Sequence, residues 1–149
     1  MRSLLDVNVL VALLDGAHLH HRVATDWLAA NVAQGWASCP LTQNGCVRIL
    51  SLPTYRNAQP PAAVAERLGK ATANRSHEFW PDSVSVLEKG RLRWDHVLTS
   101  RQITDVYLLA LAVANGGRLV TLDHGIATKA VPGAGSRNLL VLGPAKEAR

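Results

Sequence analysis

The stretch Thr104-Asp-Val-Tyr-Leu-Leu-Ala-Leu-Ala-Val-Ala-Asn-Gly-Gly-Arg-Leu-Val-Thr-Leu-Asp123 holds the pattern that decides the fold. Its unbroken apolar run, Val106 to Ala114, predicts a helix over Asp105–Ala114 with Thr104 as its cap. Asn115-Gly116-Gly117 terminates that helix, and Arg118–Leu122 reads as a strand ending at Asp123. A helix that runs antiparallel to its following strand begins beside that strand's carboxyl end. Asp105 and Asp123 therefore fall at one edge of a sheet.

Working outward, Ser3–Leu5 is a short strand and Val7–Leu14 an apolar helix, with Asp6 and Asn8 at the junction. His20–Val32 is amphipathic, since Val23, Trp27, Leu28 and Val32 fall at helical spacing. Gly35 ends it, and Trp36–Cys39 is a second strand stopped by Pro40. Thr42–Leu50 reads as a helix halted by Pro53. Pro60 and Pro61 open another that reaches roughly to Ala73, because proline is tolerated in a first turn. His77–Trp80 is a brief strand, after which Asp82 or Ser83 is placed to cap a short helix. A glycine-containing loop, Val131–Arg137, leads into a last strand, Leu139–Leu142. Strands alternating with helices predict an α/β fold with a mainly parallel sheet. With no repeat or linker visible, residues 1–149 are expected to form one domain.

Composition narrows the function. Sixteen Lys and Arg against eleven Asp and Glu give a net charge of +5. A small basic protein attracts polyanions, so nucleic acid or an acidic protein is the natural partner. Cys39 and Cys46 are too few for a disulfide framework and match no zinc spacing, as expected of buried residues in a reducing cytoplasm. The apolar N-terminus is interrupted by Asp6 and Asn8, which argues against a signal peptide. The Val106–Ala114 run is far short of the ~20 residues that span a bilayer, so a cytoplasmic protein without membrane contact is expected. Nucleotide hydrolysis is disfavoured: there is no G-x-x-x-x-G-K-[ST] loop, and no G-x-G-x-x-G follows a strand.

In open parallel sheets ligands bind beyond the carboxyl ends of the strands. Asp6 follows the first strand and Asp123 a later one, while Asp105 starts the helix between them. Each has a local explanation: Asp6 and Asp105 as a cap and a helix-dipole partner, Asp123 as a turn residue. Together they mean more. Clustered carboxylates raise one another's pKa unless a cation neutralises them, and hard oxygen ligands suit Mg²⁺ or Mn²⁺. Such an ion activates water and stabilises charge on a phosphodiester.

The opening Leu-Leu-Asp-Val-Asn-Val-Leu resembles the first motif of PIN-domain nucleases. Gln102–Ala112 resembles their third acidic motif through Asp105, and Gly116–Asp123 the strand and fourth acidic position. Thr42–Ile49 is similar to the second motif of one VapC branch. The set covers almost the whole chain in the right order. The resemblance implies a PIN-like α/β/α sandwich and a metal-dependent endoribonuclease, the toxin of a VapBC toxin–antitoxin pair. It also implies RNA as substrate, a VapB-type antitoxin that occludes the site, and a homodimer. Its catalytic and metal-holding residues would be Asp6, Asp105 and Asp123.

One departure lies in the second motif. Many PIN nucleases carry Glu there, whereas this chain offers Gln43 and Asn44, and Asn44 aligns to the place. An amide ligates without contributing charge, which leaves three carboxylates for one ion. A catalytically weak PIN-like module that grips RNA or antitoxin is the alternative this substitution opens. Thr104 and Asn8 are supporting candidates that position water at the metal, or else local hydrogen-bonders. His77, Trp80 and Asp82 are similar to a stretch of related toxins, though a strand end with a buried Trp explains them. His18, His20 and His21 read as a solvated helix start. Arg48, Arg91, Arg93, Arg101 and Arg118 are candidates for phosphate contacts.

Overall fold

The structure is a computed structural model that describes residues 1–144. Five strands form one sheet: β1 (Ser3–Leu5), β2 (Trp36–Ser38), β3 (His77–Phe79), β4 (Arg118–Thr121) and β5 (Leu139–Val141). Their order is β3-β2-β1-β4-β5 and every pairing is parallel. Five α-helices connect them: α1 (Val7–Leu14), α2 (His21–Asn31), α3 (Pro40–Leu50), α4 (Pro61–Thr72) and α5 (Ile103–Ala114). This is the expected PIN-like α/β/α arrangement, with a sheet that is wholly rather than mainly parallel.

The strands are apolar at neighbouring positions because both faces are covered, as parallel sheets require. Leu4, Ala37 and Leu119 pack on one face with α5, Trp80 and Leu92. Leu5, Trp36 and Val120 pack on the other with α1, α2, α3 and α4. Side chains alternate across a strand, so consecutive residues serve opposite layers. Trp80 is buried and fits tightly over Gly117, where an added Cβ would meet its ring at 2.7 Å. Gly117 thus permits the close approach of this ring as well as ending the helix.

Three local expectations change. No helix follows Asp82 and Ser83: residues 83–93 form turns, with Val84 and Leu92 dipping into the core and Ser85 exposed between valines. The alternation Ser83-Val84-Ser85-Val86 has a period of two, which a helix cannot bury on one face. Thr104 is not a cap, because α5 begins at Ile103 after a single 3₁₀ turn, Ser100–Gln102. The Gln102 side chain folds back to accept from the N–H groups of Leu98 and Thr99, at 2.7 and 3.0 Å, and so fixes the helix entry upstream of Thr104. Finally, Pro40 both ends the strand region and opens α3, two residues ahead of Thr42.

Candidate active site

From β1 the chain leaves toward β2, and on the other side of β1 lies β4. Connections therefore diverge between these two adjacent strands, and a crevice opens at their carboxyl ends. Asp6 and Asp123 follow β1 and β4, and Asp105 occupies the first turn of α5. One edge of the sheet brings the three acids together.

Asp6 is only 5 % exposed and caps α1, its Oδ1 accepting the Val7 N–H at 2.7 Å. Its Oδ2 accepts the hydroxyl of Thr121 at 2.7 Å. That hydroxyl is fully buried and also accepts from Asn8 Nδ2, at 3.2 Å, and from the Asp123 N–H, at 3.0 Å. Asn8 Oδ1 in turn accepts the Leu122 N–H at 3.1 Å. Thr121 is thus a junction that fixes the first acid and the turn carrying the last. Thr121 is a site residue that motif and charge do not single out; its place two residues before Asp123, on the strand that ends at the site, is the signal the sequence carries for it.

Charge at this edge is unbalanced. Burial, then the neighbouring Asp6 and Asp123 carboxylates, push Asp105 up to about 6. Asp6 is raised as well, by burial first, against the lowering effect of its bonds to Thr121 and Val7. Carboxylates held near one another at this cost suit a divalent cation, and the donors are all hard oxygens. Among the described residues no three His, Cys, Asp or Glu side chains already form a closed ligand set. Asp6 is turned onto Thr121 and Val7, and Asp123 Oδ1 accepts the Gly125 N–H at 2.7 Å. The electrostatics fit an ion; closing on one requires these carboxylates to rotate.

A cleft of about 600 Å³ opens at the same edge. Asp6, Asn8, Asn44, Arg48, Thr104 and Asp105 all line it, together with His18 and Tyr55. Asn44 reaches it because α3 lies tight against α1 at Gly45, where a Cβ would meet Val7 Cγ2 at 2.7 Å. Freed from capping, Thr104 is exposed beside Asp105. Asp123 is not among the lining residues and sits on an exposed turn.

Of the basic candidates only Arg48 lines the cleft. Arg91 pairs with Glu88 at 2.6 Å, and Arg93 donates to the Lys129 carbonyl at 3.0 Å. Arg118 begins β4, at the opposite end of the sheet, where it donates to Ser3 Oγ and lies over the Trp27 ring. Arg101 is exposed in the turn before α5. The histidines also separate: His18 is half-buried and lines the cleft rather than standing in solvent, because the turn after α1 folds it inward. His77 is bonded to Ser38 Oγ at 2.8 Å in the sheet, as a structural residue.

Comparison with known proteins agrees with this geometry. The PIN-domain family profile matches residues 3–132. Ribonuclease VapC44 of Mycobacterium tuberculosis is 48% identical over 142 residues, covering 95% of this chain and 100% of the relative. Ribonuclease VapC39 of the same organism is 40% identical over 134 residues, 89% of this chain and 96% of the relative. In fold, the chain resembles a structure of VapBC2 from Rickettsia felis bound to a DNA fragment from their promoter. That match has a TM-score of 0.66 at 15% identity and covers 96% of this chain and all of the other. The chain belongs to the PIN-domain family and, within it, to the VapC ribonucleases.

Proposed function

We propose that this VapC-type toxin endoribonuclease hydrolyses RNA at the carboxylate edge, with Mg²⁺ or Mn²⁺ held by Asp6, Asp105 and Asp123. The observation that carries the reading is the raised Asp105, flanked by two further carboxylates at the β1–β4 crevice. PIN-domain ribonucleases generally depend on a divalent metal. When bound, the ion supplies an activated water and neutralises charge on the phosphodiester.

The chain's own residues have separate tasks. Asp6, held by Thr121 until it turns to the ion, presents a carboxylate at the mouth of the crevice. Asp105 brings a second from the opposite helix layer, and its deprotonation completes the negative charge of the set. Asp123 closes from the turn after β4. Asn8 holds that turn through the Leu122 N–H, while Asn44 and Thr104 offer neutral oxygens to water or ion. Arg48, on the cleft, meets the phosphate.

The partner is a VapB-type antitoxin, by analogy with the VapBC2 pair, and the chain works as a homodimeric, single-domain cytoplasmic protein. Among the described residues no helix is long and apolar enough to cross a membrane. A second reading, a module that binds RNA but cleaves it weakly, draws on Asn44, which supplies no charge where many relatives of the fold carry Glu. One experiment separates the two: purified protein with total cellular RNA and Mg²⁺, Mn²⁺ or EDTA. Cleavage with either metal, absent in EDTA, supports the enzyme; binding without cleavage supports the module.

A further inference from the structure

The cleft does not end at the carboxylates. Its lining follows α1 and α3 from their first turns, at Asp6, Leu41 and Asn44, to Val11 and Ile49, and then to His18 and Tyr55 beyond the two helices. α1 spans roughly 12 Å at the usual rise per residue, so the acids and the two rings stand at opposite ends of one recess. Between them the wall is mainly aliphatic, interrupted by Arg48. Among the described residues no acid besides Asp6 and Asp105 lines it, and Arg48 is the cation on it.

Both rings are held in place. The Tyr55 hydroxyl donates to Asp15 Oδ2, and Asp15 Oδ1 accepts the Ala17 N–H at 3.0 Å, which ties the ring to the turn bearing His18. The Tyr55 ring packs on the core cluster beneath it and remains half exposed. The His20 N–H donates to His18 Nδ1 at 3.0 Å. A ring nitrogen that accepts carries no proton, so the His18 proton is on Nε2 and the ring is neutral. Burial, then His20, lowers His18 further from protonation. The result is a flat wall and one directed donor in a recess continuous with the hydrolytic edge.

We propose that Tyr55 and His18 form a nucleobase subsite. The base of a nucleotide flanking the scissile phosphate stacks on Tyr55, and its acceptor edge takes a hydrogen bond from His18 Nε2. The inference rests on the RNA-cleaving reading of the carboxylates, because this recess lies open to the adjoining nucleotides of a strand whose phosphate is at Asp6 and Asp105. Single-stranded RNA is read through such unstacked bases, on aromatic faces and by their polar edges. A protein segment is the competing occupant, but a recess that runs from the hydrolytic edge past one arginine to two rings is the complement of a nucleotide.

The test measures affinity and cut-site preference separately. A short single-stranded RNA of random sequence is titrated into Asp105→Asn protein, with and without Tyr55→Leu, Tyr55→Phe or His18→Ala. Tyr55→Leu is expected to weaken binding about tenfold or more, whereas Tyr55→Phe, which keeps the ring, stays close to the parent. In the Asp105-intact protein, sequencing of the cleaved ends should show that His18→Ala flattens the base preference at one position beside the cut. Should Tyr55→Leu fail to fold, His18→Ala on the surface turn still decides. Unchanged affinity together with unchanged preference overturns the subsite, and so does a loss confined to binding of the cognate antitoxin. A parent that does not cleave while Tyr55→Leu and His18→Ala still weaken RNA binding overturns the nuclease reading and leaves the subsite standing.

Discussion

The hydroxyl of Thr121, on β4, donates to the Asp6 carboxylate at the end of β1 across 2.7 Å. The parallel register Leu5↔Val120 sets the residues that follow side by side, and the side chains complete what the ladder begins. Because the same hydroxyl accepts from Asn8 and from the Asp123 backbone, one oxygen couples two acids and an amide.

Thr121→Val keeps the shape and removes all three bonds. Leaving a buried carboxylate and its neighbours without this partner should destabilise the fold by about 1–3 kcal/mol. Cleavage should fall about 10–100-fold, the usual cost of losing a group that orients a ligand. Thr121→Ser keeps the hydroxyl and should recover most of both. Denaturant unfolding alongside RNA cleavage checks this, and a Val variant as active as the parent would remove Thr121 from the site.

Asp6→Asn and Asp105→Asn should each lower RNA cleavage by at least ~100-fold, since a lost ligand costs more than a lost orienting group. Both amides match the carboxyl in size, so circular dichroism should be unchanged. Asp123→Asn is expected to cost less, because Asp123 is exposed and already bonded to its own turn. Asp105→Asn should also relieve the growth arrest caused by inducing the protein in a bacterium. Full activity in the Asp6 or Asp105 variant would sink the proposed metal set.

Much of this arrangement was legible in the sequence, and the reasons are physical. The helix ending at Asn115-Gly-Gly, followed at once by a strand, fixed Asp105 and Asp123 at one edge without any coordinates. What escaped depended on neighbours far along the chain. Of the partners that make Thr121 a hub, only the Asp123 N–H is local, while Asp6 and Asn8 lie 115 and 113 residues away. His18 read as solvated because a histidine-rich helix start is usually exposed; its burial arises from the turn that Asp15 and Tyr55 close. Arg118 stood among the candidates for phosphate contact because its charge was visible, while its position at the amino end of β4 became telling only once the sheet was assembled. The helix expected after Asp82 failed through a period-two pattern too short to stand out.

Stability of the metal-free protein should depend on pH through Asp105. Burial and its two acidic neighbours raise its folded carboxyl from 3.8 to about 6. Between these values the folded state binds a proton that the unfolded chain does not, so the contribution is full below about 3.8 and lost as pH rises through about 6. Asp6, also raised, acts in the same direction. In EDTA, lowering the pH from about 7 toward 5 should therefore raise the melting temperature more for the parent than for Asp105→Asn. Parallel melting curves for the two proteins across this window would contradict the electrostatics described here.

Asn44 tests the departure from the commoner motif. It lines the cleft with Asp6 and Asp105 from an exposed position inside α3, so capping its own helix is not its task. If it serves the ion, Asn44→Glu adds a charged oxygen and should strengthen Mn²⁺ binding, by about tenfold or more for a group of this kind. Activity is a poorer readout, since the new charge also repels the RNA phosphate. Asn44→Ala should weaken the ion moderately, well short of the loss from Asp6→Asn. At an exposed helical site neither change should move stability by more than ~0.5 kcal/mol. Calorimetric titration of the three proteins with Mn²⁺ separates the cases, because a residue that merely faces solvent gives three identical binding curves and thereby leaves only the three aspartates to hold the metal.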